Sequence, residues 1–152
     1  PFNTYGPRQS TRAIIPTIIS QLLKNKNKVS LGSLKPTRDL TYVFDTVNGF
    51  IKIAYCNKLY GEVTNIGMNS EISIEEIFHT ITNLLNINLK VLIDQKRIRP
   101  EKSEVDRLIC DNKKIKNFTD WSPKYDFKEG INETIMWMKK NKMYFENTDF
   151  TI

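Results

Sequence analysis

The stretch LGSLKPTRDLTYVFDTVNGF, residues 31–50, contains the pattern that decides the fold. Leu31 and Gly32 end a short strand pattern, KVSLG, and a loop with Pro36 follows. The loop closes on a charged pair, Arg38 and Asp39, before the alternating run LTYVF. Asp45 is then the predicted N-cap residue of a helix, because its side chain can accept hydrogen bonds from free backbone N–H groups. A short strand, a loop, a second strand and a helix are therefore expected within about 25 residues.

Strands and helices alternate on both sides of this stretch. The strongest signals are two capping boxes, Ser73 with Glu76 and Asp126 with Glu129, which predict helices over 74–86 and about 127–141. The other expected elements are strands in PFNTY, GEVTNIG (61–67) and LKVLID (89–94), and helices over 12–25 and in DNKKIKNF. Three or four short strands with four or five helices indicate a small mixed α/β unit attached to something else.

The charge balance favours a phosphate-bearing partner. The 152 residues are 39% hydrophobic and carry a net charge of +6. Such a surplus is typical of proteins that bind polyanions or phosphate groups, but it is also found on simple lysine-rich soluble surfaces. The two lysine clusters, KNKNK (24–28) and KKNK (139–142), fall at predicted helix ends. Because no basic stripe is interleaved with aromatic residues, we expect no nucleic-acid partner.

Cysteine, histidine and hydropathy exclude several kinds of site. Cys56 and Cys110 are far apart and form neither a disulfide framework nor a zinc motif. His79 is the single histidine and lies in an apolar helical pattern, so we expect no metal site. The longest apolar run, AIIPTIISQLL, contains a proline and is too short to span a bilayer. We therefore expect a cytoplasmic protein with no membrane partner.

Arginine loops are the best candidates for a binding site. Arg38 closes one loop, and Arg97 and Arg99 lie in a second loop that continues to Glu104. A guanidinium pairs bidentately with phosphate oxygens, so two such loops meeting at one cleft would suit a diphosphate. The alternative is that each arginine pairs with a neighbouring acid on the surface. Spacing along the chain does not distinguish the two interpretations.

Six blocks carry a family resemblance. In chain order they are PFNTYGPRQ, IIP, LGSLKPTRDLTYVFDTVNGF, GEVTNIG, RPEKSEVDRL and WSPKYDFKEGINETI, and they cover about residues 1–140. Together they resemble the extended short-chain dehydrogenase/reductases that act on nucleotide sugars. LGSLKPTRD and RPEKSEVD are most similar to the GDP-mannose 4,6-dehydratase group. The second block is two residues longer between Pro100 and Glu104 than that group's usual pattern.

The resemblance implies a fold, a domain division and a set of substrate-binding residues. It implies an α/β fold that forms the C-terminal part of such an enzyme: the end of a Rossmann sheet (about 1–25) and a nucleotide-sugar-binding lobe (about 26–145). Asn3, at the end of the sixth Rossmann strand, and the backbone at Ile14 would face the diphosphate. Leu31 and Gly32 would lie beside the base. The two diphosphate-binding arginines would be Arg38 and Arg99, and Glu104 would contact the ribose.

The resemblance also implies residues that this chain lacks. The family uses a glycine-rich dinucleotide turn and a Tyr-x-x-x-Lys pair, and neither pattern occurs here. We therefore expect no catalytic residue in this chain. The NAD cofactor would be bound mainly by an upstream domain, and Pro1 would stand just downstream of it.

For the longer parent, the resemblance implies a homo-oligomer that transfers a hydride from C4 of the sugar to NAD. Water would be eliminated across C5 and C6 in a dehydratase before the hydride returns. A GDP-sugar is the first expected substrate and a UDP-sugar the second. The alternative is a non-catalytic nucleotide-sugar binding module or an inert truncated fragment.

Overall fold

The computed structural model describes residues 1–98, 100 and 103–146, with the backbone alone for Tyr144 and Glu146. The strands are β1 (Asn3–Tyr5), β2 (Ser30–Leu31), β3 (Thr37–Arg38), β4 (Leu40–Tyr42), β5 (Ile72–Ser73), β6 (Leu92–Ile93) and β7 (Arg107–Leu108). The α-helices are α1 (Ile14–Lys24), α2 (Val43–Ala54), α3 (Ile74–Leu84), α4 (Lys113–Phe118), α5 (Phe127–Lys140) and α6 (Met143–Glu146). Two 3₁₀ helices cover Asn57–Leu59 and Gln95–Arg97.

Three small sheets organise these strands. β1 and β4 form a parallel pair in which Asn3 lies opposite Leu40 and Tyr5 opposite Tyr42. β2 and β6 form a second parallel pair. In the third sheet β3 lies between an antiparallel β5 and a parallel β7. Parallel pairs need long crossover connections, which α1 and the segments that follow it provide.

One main hydrophobic core joins the sheets to three helices. Its buried side chains come chiefly from α1, α3 and α5, including Ile18, Ile77 and Ile131, each fully buried. Tyr5 and Tyr42 of the first parallel pair extend this core, with ring centroids 5.7 Å apart. The core therefore runs from the first strand to the last helices, across the expected boundary near residue 25.

Both capping boxes form as predicted. The Ser73 side chain accepts from the Glu76 backbone N–H, and the Glu76 side chain accepts from the Ser73 backbone N–H. α3 therefore begins at Ile74, directly after Ser73. Asp126 and Glu129 make the same reciprocal pair at the start of α5. These local hydrogen bonds satisfy backbone donors that a helix otherwise leaves without partners.

The prediction that Asp45 caps α2 is wrong. α2 begins at Val43, two residues before Asp45, and its N-cap residue is Tyr42, which makes no side-chain cap. Asp45 is buried within the first turn and accepts from the backbone N–H groups of Lys124 (2.9 Å) and Tyr125 (3.2 Å). A buried carboxylate needs such donors. It therefore fixes the distant loop before α5 rather than the start of its own helix.

The predicted strand over residues 61–67 is also wrong. The segment is irregular, and its carbonyl groups have separate partners: Lys114 donates to Val63 (2.8 Å), the Phe2 N–H to Ile66 (2.8 Å) and Asn112 to Gly67 (2.7 Å). Ile66 is buried with Ile115 and Trp121 in a second, smaller core. Of the two apolar residues that suggested a strand, Ile66 packs in this core beside α4 and Val63 is exposed.

Among the described residues, every helix is too short or too polar to serve as a membrane span.

The contact between α5 and β1 gives a stability prediction. A Cβ at Gly130 would overlap the Tyr5 hydroxyl and lie 3.0 Å from a Tyr42 ring carbon. Gly130→Val should therefore destabilise the protein by about 1–3 kcal/mol, because overpacking outweighs the small helix-propensity gain. Urea unfolding measures this change. Asn132→Val, at an exposed position of the same helix, should change stability by less than about 0.5 kcal/mol. Equal effects of the two substitutions would contradict the packing argument.

Candidate functional site

A cleft of about 460 Å³ lies where the three sheets meet. β1 and β4 contribute Asn3 and Leu40, β2 contributes Leu31, and β3 contributes Arg38. Six of the seven residues predicted to bind substrate line this one cleft: Asn3, Ile14, Leu31, Gly32, Arg38 and Glu104. The seventh, Arg99, lies outside the described residues. The convergence that spacing alone left open is therefore present for these six.

The N-terminus of α1 forms one wall of the cleft. Ala13, the N-cap residue, and Ile14 and Ile15 all line it, and no side chain caps the helix. Pro16 has no N–H, so the donors of the first turn are those of Ile14 and Ile15. An uncapped helix start carries partial positive charge and N–H groups that suit a phosphate. Ile14 thus lies at an uncapped helix start that lines the cleft.

Arg38 is held in place by three hydrogen bonds. Its Nη1 donates to the carbonyls of Thr37 (2.8 Å) and Val105 (2.6 Å), and its Nη2 donates to Glu104 Oε1 (3.0 Å). The Arg38 and Glu104 side chains are each 18% exposed, so the ion pair is largely shielded. A guanidinium has five N–H groups, and the other two have no partner among the described residues. Arg38 is therefore fixed in orientation and still able to donate to a ligand.

The arginines do not all pair with their neighbouring acids. Arg38 pairs with Glu104, 66 residues away, whereas Asp39 is fully buried and accepts from Met68 and Cys110. Arg97 does pair locally, with Asp94 at 3.3 Å. The surface-pairing alternative therefore fails for Arg38.

A carboxylate outside the cleft fixes the strand that carries Arg38. Glu71 accepts from Thr37 Oγ1 of β3 (2.7 Å) and from Arg107 Nε and Nη2 of β7 (2.8 Å each). These hydrogen bonds, chiefly that from Arg107, lower the pKa of Glu71. The carboxylate thus bridges two strands beside the Arg38–Glu104 pair.

Gly32 closes the opposite wall against Arg97. A Cβ at Gly32 would overlap the Arg97 carbonyl oxygen. Asp94 fixes this approach, because its N–H donates to Leu31 (2.8 Å) and its carboxylate accepts from Lys96 (3.0 Å) in the 3₁₀ helix. Only glycine fits where the two backbones come this close. Leu31 and Gly32 therefore form a flat wall.

Asn3 is the first residue of β1, not at the end of a strand as predicted. Its Nδ2 is buried and has no hydrogen-bond partner among the described residues. A buried donor without a partner is uncommon and points to a missing acceptor.

Sequence reasoning did not single out four polar residues of the cleft, Gln9, Arg12, Thr17 and Ser33, and gave no role to a fifth, Arg97. Arg97 was considered as a member of its loop, but no role was assigned to it. Gln9 and Arg12 belong to the loop between β1 and α1. Its length and its turn residues gave no indication that it folds back over the cleft.

Two buried ionisable groups are unsuited to acid–base or nucleophilic chemistry at neutral pH. Burial raises the pKa of the Cys110 thiol to about 11, so the thiol stays protonated. Burial also raises the pKa of Tyr5, whose hydroxyl donates to the Phe127 carbonyl at 3.3 Å. Both residues belong to the packing of the protein.

The family follows from a sequence match over most of the chain. A family model described as GDP-mannose 4,6 dehydratase matches residues 1–134. The chain belongs to this family. Human dTDP-D-glucose 4,6-dehydratase is 31% identical over 152 residues, which cover 97% of this chain and 42% of the human protein.

Solved structures of the family have the same fold. The dTDP-glucose 4,6-dehydratase of Bacillus anthracis, solved in complex with NAD, superposes with a TM-score of 0.80 at 28% identity; the match covers 94% of this chain and 44% of that one. UDP-glucose 4-epimerase of Thermotoga maritima, solved with UDP-glucose, gives a TM-score of 0.79 at 25% identity, over 93% and 45% of the two chains. The predicted fold class is thereby confirmed. The chain spans less than half the length of the relatives it matches.

The Glu71 bridge gives a pH prediction. A carboxylate whose folded-state pKa is lowered stabilises the protein fully above its unfolded pKa, about 4.5, and loses this effect as the pH falls through the lowered value. The stability difference between the wild type and Glu71→Gln should be constant from about pH 7 to pH 5.5 and should shrink below about pH 4.5. Urea unfolding at a series of pH values measures it.

Glu133→Gln, at an exposed position of α5, is the matched control. The stability difference between the wild type and this variant should not shrink in this way as the pH falls. A Glu71→Gln difference that stays unchanged down to pH 3 would contradict the bridge.

Proposed function

We propose that this chain is the substrate-binding part of an NAD-dependent nucleotide-sugar 4,6-dehydratase or epimerase. The observation that carries the proposal is the single cleft that unites Arg38, the uncapped start of α1 and the unpartnered Asn3 amide. Three distant parts of the chain supply these groups. Each group donates hydrogen bonds and none carries negative charge, as a diphosphate requires.

We propose a contact for each wall of the cleft. The diphosphate would lie between the N–H groups of Ile14 and the guanidinium of Arg38, with Asn3 donating to one of its oxygens. Arg99 would supply a second guanidinium. Leu31 and Gly32 would lie against the flat face of the base. Glu104, held by Arg38 at 3.0 Å, would accept from a ribose hydroxyl.

The chain would contribute positioning to the reaction and no reacting group. Binding energy from the diphosphate, far from the reacting carbon, would hold the sugar in one orientation. NAD would supply a hydride acceptor for C4 of the sugar. The six glycines of this chain form no glycine-rich dinucleotide turn, so NAD would be held mainly by another part of a longer protein.

A GDP-sugar is the proposed substrate, and a UDP- or dTDP-sugar is the second candidate. The similarity of LGSLKPTRD and RPEKSEVD to the GDP-mannose 4,6-dehydratase group and the match to that family model support the first. The names of the relatives, which include dTDP- and UDP-sugar enzymes, support the second. The flat wall at Gly32 would accept either class of base.

The other parts of the expectation remain predictions: the division near residue 25, the homo-oligomeric parent and the cytoplasmic location.

The second candidate function is a binding module without catalysis. It is supported by the site itself, since the cleft needs no catalytic group in order to bind a nucleotide sugar.

Arg38→Ala tests the diphosphate contact. The substitution removes a charge-assisted hydrogen bond, so it should weaken nucleotide-sugar binding by about 1.5–3 kcal/mol. Isothermal titration of the chain with GDP-mannose and with UDP-glucose measures the affinity. Lys139→Ala is the control, because Lys139 is exposed and does not line the cleft, and it should leave the affinity unchanged.

Two results would contradict the proposal. One is equal affinity of the wild type and Arg38→Ala for a bound nucleotide sugar. The other is the absence of nucleotide-sugar binding combined with salt-sensitive binding of random duplex DNA, which would indicate a nucleic-acid surface.

A further inference from the structure

The loop after β1 folds Gln9 back over the cleft in a fixed turn. The Gln9 N–H donates to the Gly6 carbonyl at 3.3 Å. Gly6 has φ +147° and lies so close to Val43 that a Cβ would come within 2.7 Å of its Cγ1. Arg8 is in the left-handed region at φ 69°. A turn with two such residues is held by its surroundings, which gives Gln9 a defined position.

The amide of Gln9 can be oriented in only one way. Its Nε2 lies 2.9 Å from the carbonyl oxygen of Thr4, which accepts hydrogen bonds and does not donate them. The N–H side of the amide must therefore face Thr4, and the oxygen Oε1 must face away. Oε1 is buried and has no hydrogen-bond partner among the described residues, and Gln9 lines the cleft. Gln9, a residue that lines the cleft, thus carries a buried acceptor without a donor.

Gln9 and Asn3 lie at the same end of the cleft. Gln9 is bonded to Thr4, the residue directly after Asn3, so both belong to the β1 end. Leu31 and Gly32 lie on the separate β2–β6 pair, which is the end proposed for the base. Each amide has one buried atom without a partner, and the two atoms differ in kind: Asn3 Nδ2 is a donor and Gln9 Oε1 an acceptor. The β1 end can therefore recognise a ligand that has a hydrogen-bond acceptor next to a hydrogen-bond donor.

We propose that Gln9 is a specificity-determining residue that accepts a hydrogen bond from a hydroxyl of the sugar. This inference rests on the proposed function. A diphosphate at neutral pH offers only acceptors, so it can satisfy Asn3 but not Gln9 Oε1. In the proposed function, the base and the ribose lie toward β2 and Glu104. A sugar hydroxyl beyond the diphosphate is the donor that the β1 end requires.

The test compares a nucleotide sugar with the same nucleotide that lacks the sugar. Isothermal titration of the chain is carried out with GDP-mannose and GDP, and in parallel with UDP-glucose and UDP. Gln9→Met keeps the length of the side chain and removes the acceptor. It should weaken binding of the nucleotide sugar about 5- to 10-fold and binding of the matching nucleoside diphosphate less than about twofold.

Gln21→Met is the matched control. Both the nitrogen and the oxygen of the Gln21 amide have a partner: Nε2 donates to the Ser30 carbonyl (3.1 Å) and Oε1 accepts from the Ser30 N–H (2.8 Å). Gln21 does not line the cleft. This substitution should leave the ratio of nucleotide-sugar to nucleotide affinity unchanged.

The outcomes separate this inference from the proposed function. If Gln9→Met weakens both ligands equally, Gln9 acts through the turn or on the diphosphate, and the inference is wrong. If it weakens neither, the inference is also wrong, while the proposed function stands. If the wild type binds none of the four ligands, the proposed function fails and the inference fails with it.

Discussion

The architecture depends on one buried carboxylate, that of Asp39. This residue alone separates β3 from β4, so it joins the three-stranded sheet to the parallel pair with β1. Its side chain is completely buried and accepts from the N–H groups of Met68 (2.7 Å) and Cys110 (3.1 Å), and its own N–H donates to Leu108 (2.9 Å). A buried charge is tolerated only with such bonds. The same bonds fix the angle between the two sheets, and hence the shape of the cleft between them.

Much of the hydrogen bonding around the cleft comes from side chains, because the strands there are short. Strands of two or three residues leave few ladder hydrogen bonds, so side chains complete the structure: Glu71 bridges two strands, and Asp94 ties β2 to the 3₁₀ helix. Four buried side-chain atoms have no hydrogen-bond partner among the described residues: Asn3 Nδ2, Gln9 Oε1, Thr41 Oγ1 and Thr64 Oγ1. Of these four residues, Asn3 and Gln9 line the cleft.

Local signals in the sequence predicted the helices well and the smallest strands poorly. The capping boxes of α3 and α5 are hydrogen bonds between residues three positions apart, so a short window contains the whole cause. β3, β5 and β7 have two residues each and exist only through pairing between distant segments, so no local period reveals them. Asp45 was misread for the same reason: its partners lie about 80 residues away.

Residue types and spacing could identify candidate arginines in the site but not their convergence. The resemblance to a family supplied the convergence, and the cleft contains all six of its predicted residues that the structure describes. It did not indicate Gln9, because the role of Gln9 depends on a backbone turn and on which side of its amide faces Thr4.

The most direct test of the central claim is to locate the ligand on the protein. Backbone amide chemical shifts of the isotope-labelled chain would be followed during titration with GDP-mannose and with UDP-glucose. The account predicts that the largest changes fall on the cleft, at Ile14, Gly32 and Arg38, while α4 and the exposed face of α5 stay unchanged. Changes centred outside the cleft, or none at saturating concentrations of either ligand, would contradict the claim that this cleft binds a nucleotide sugar.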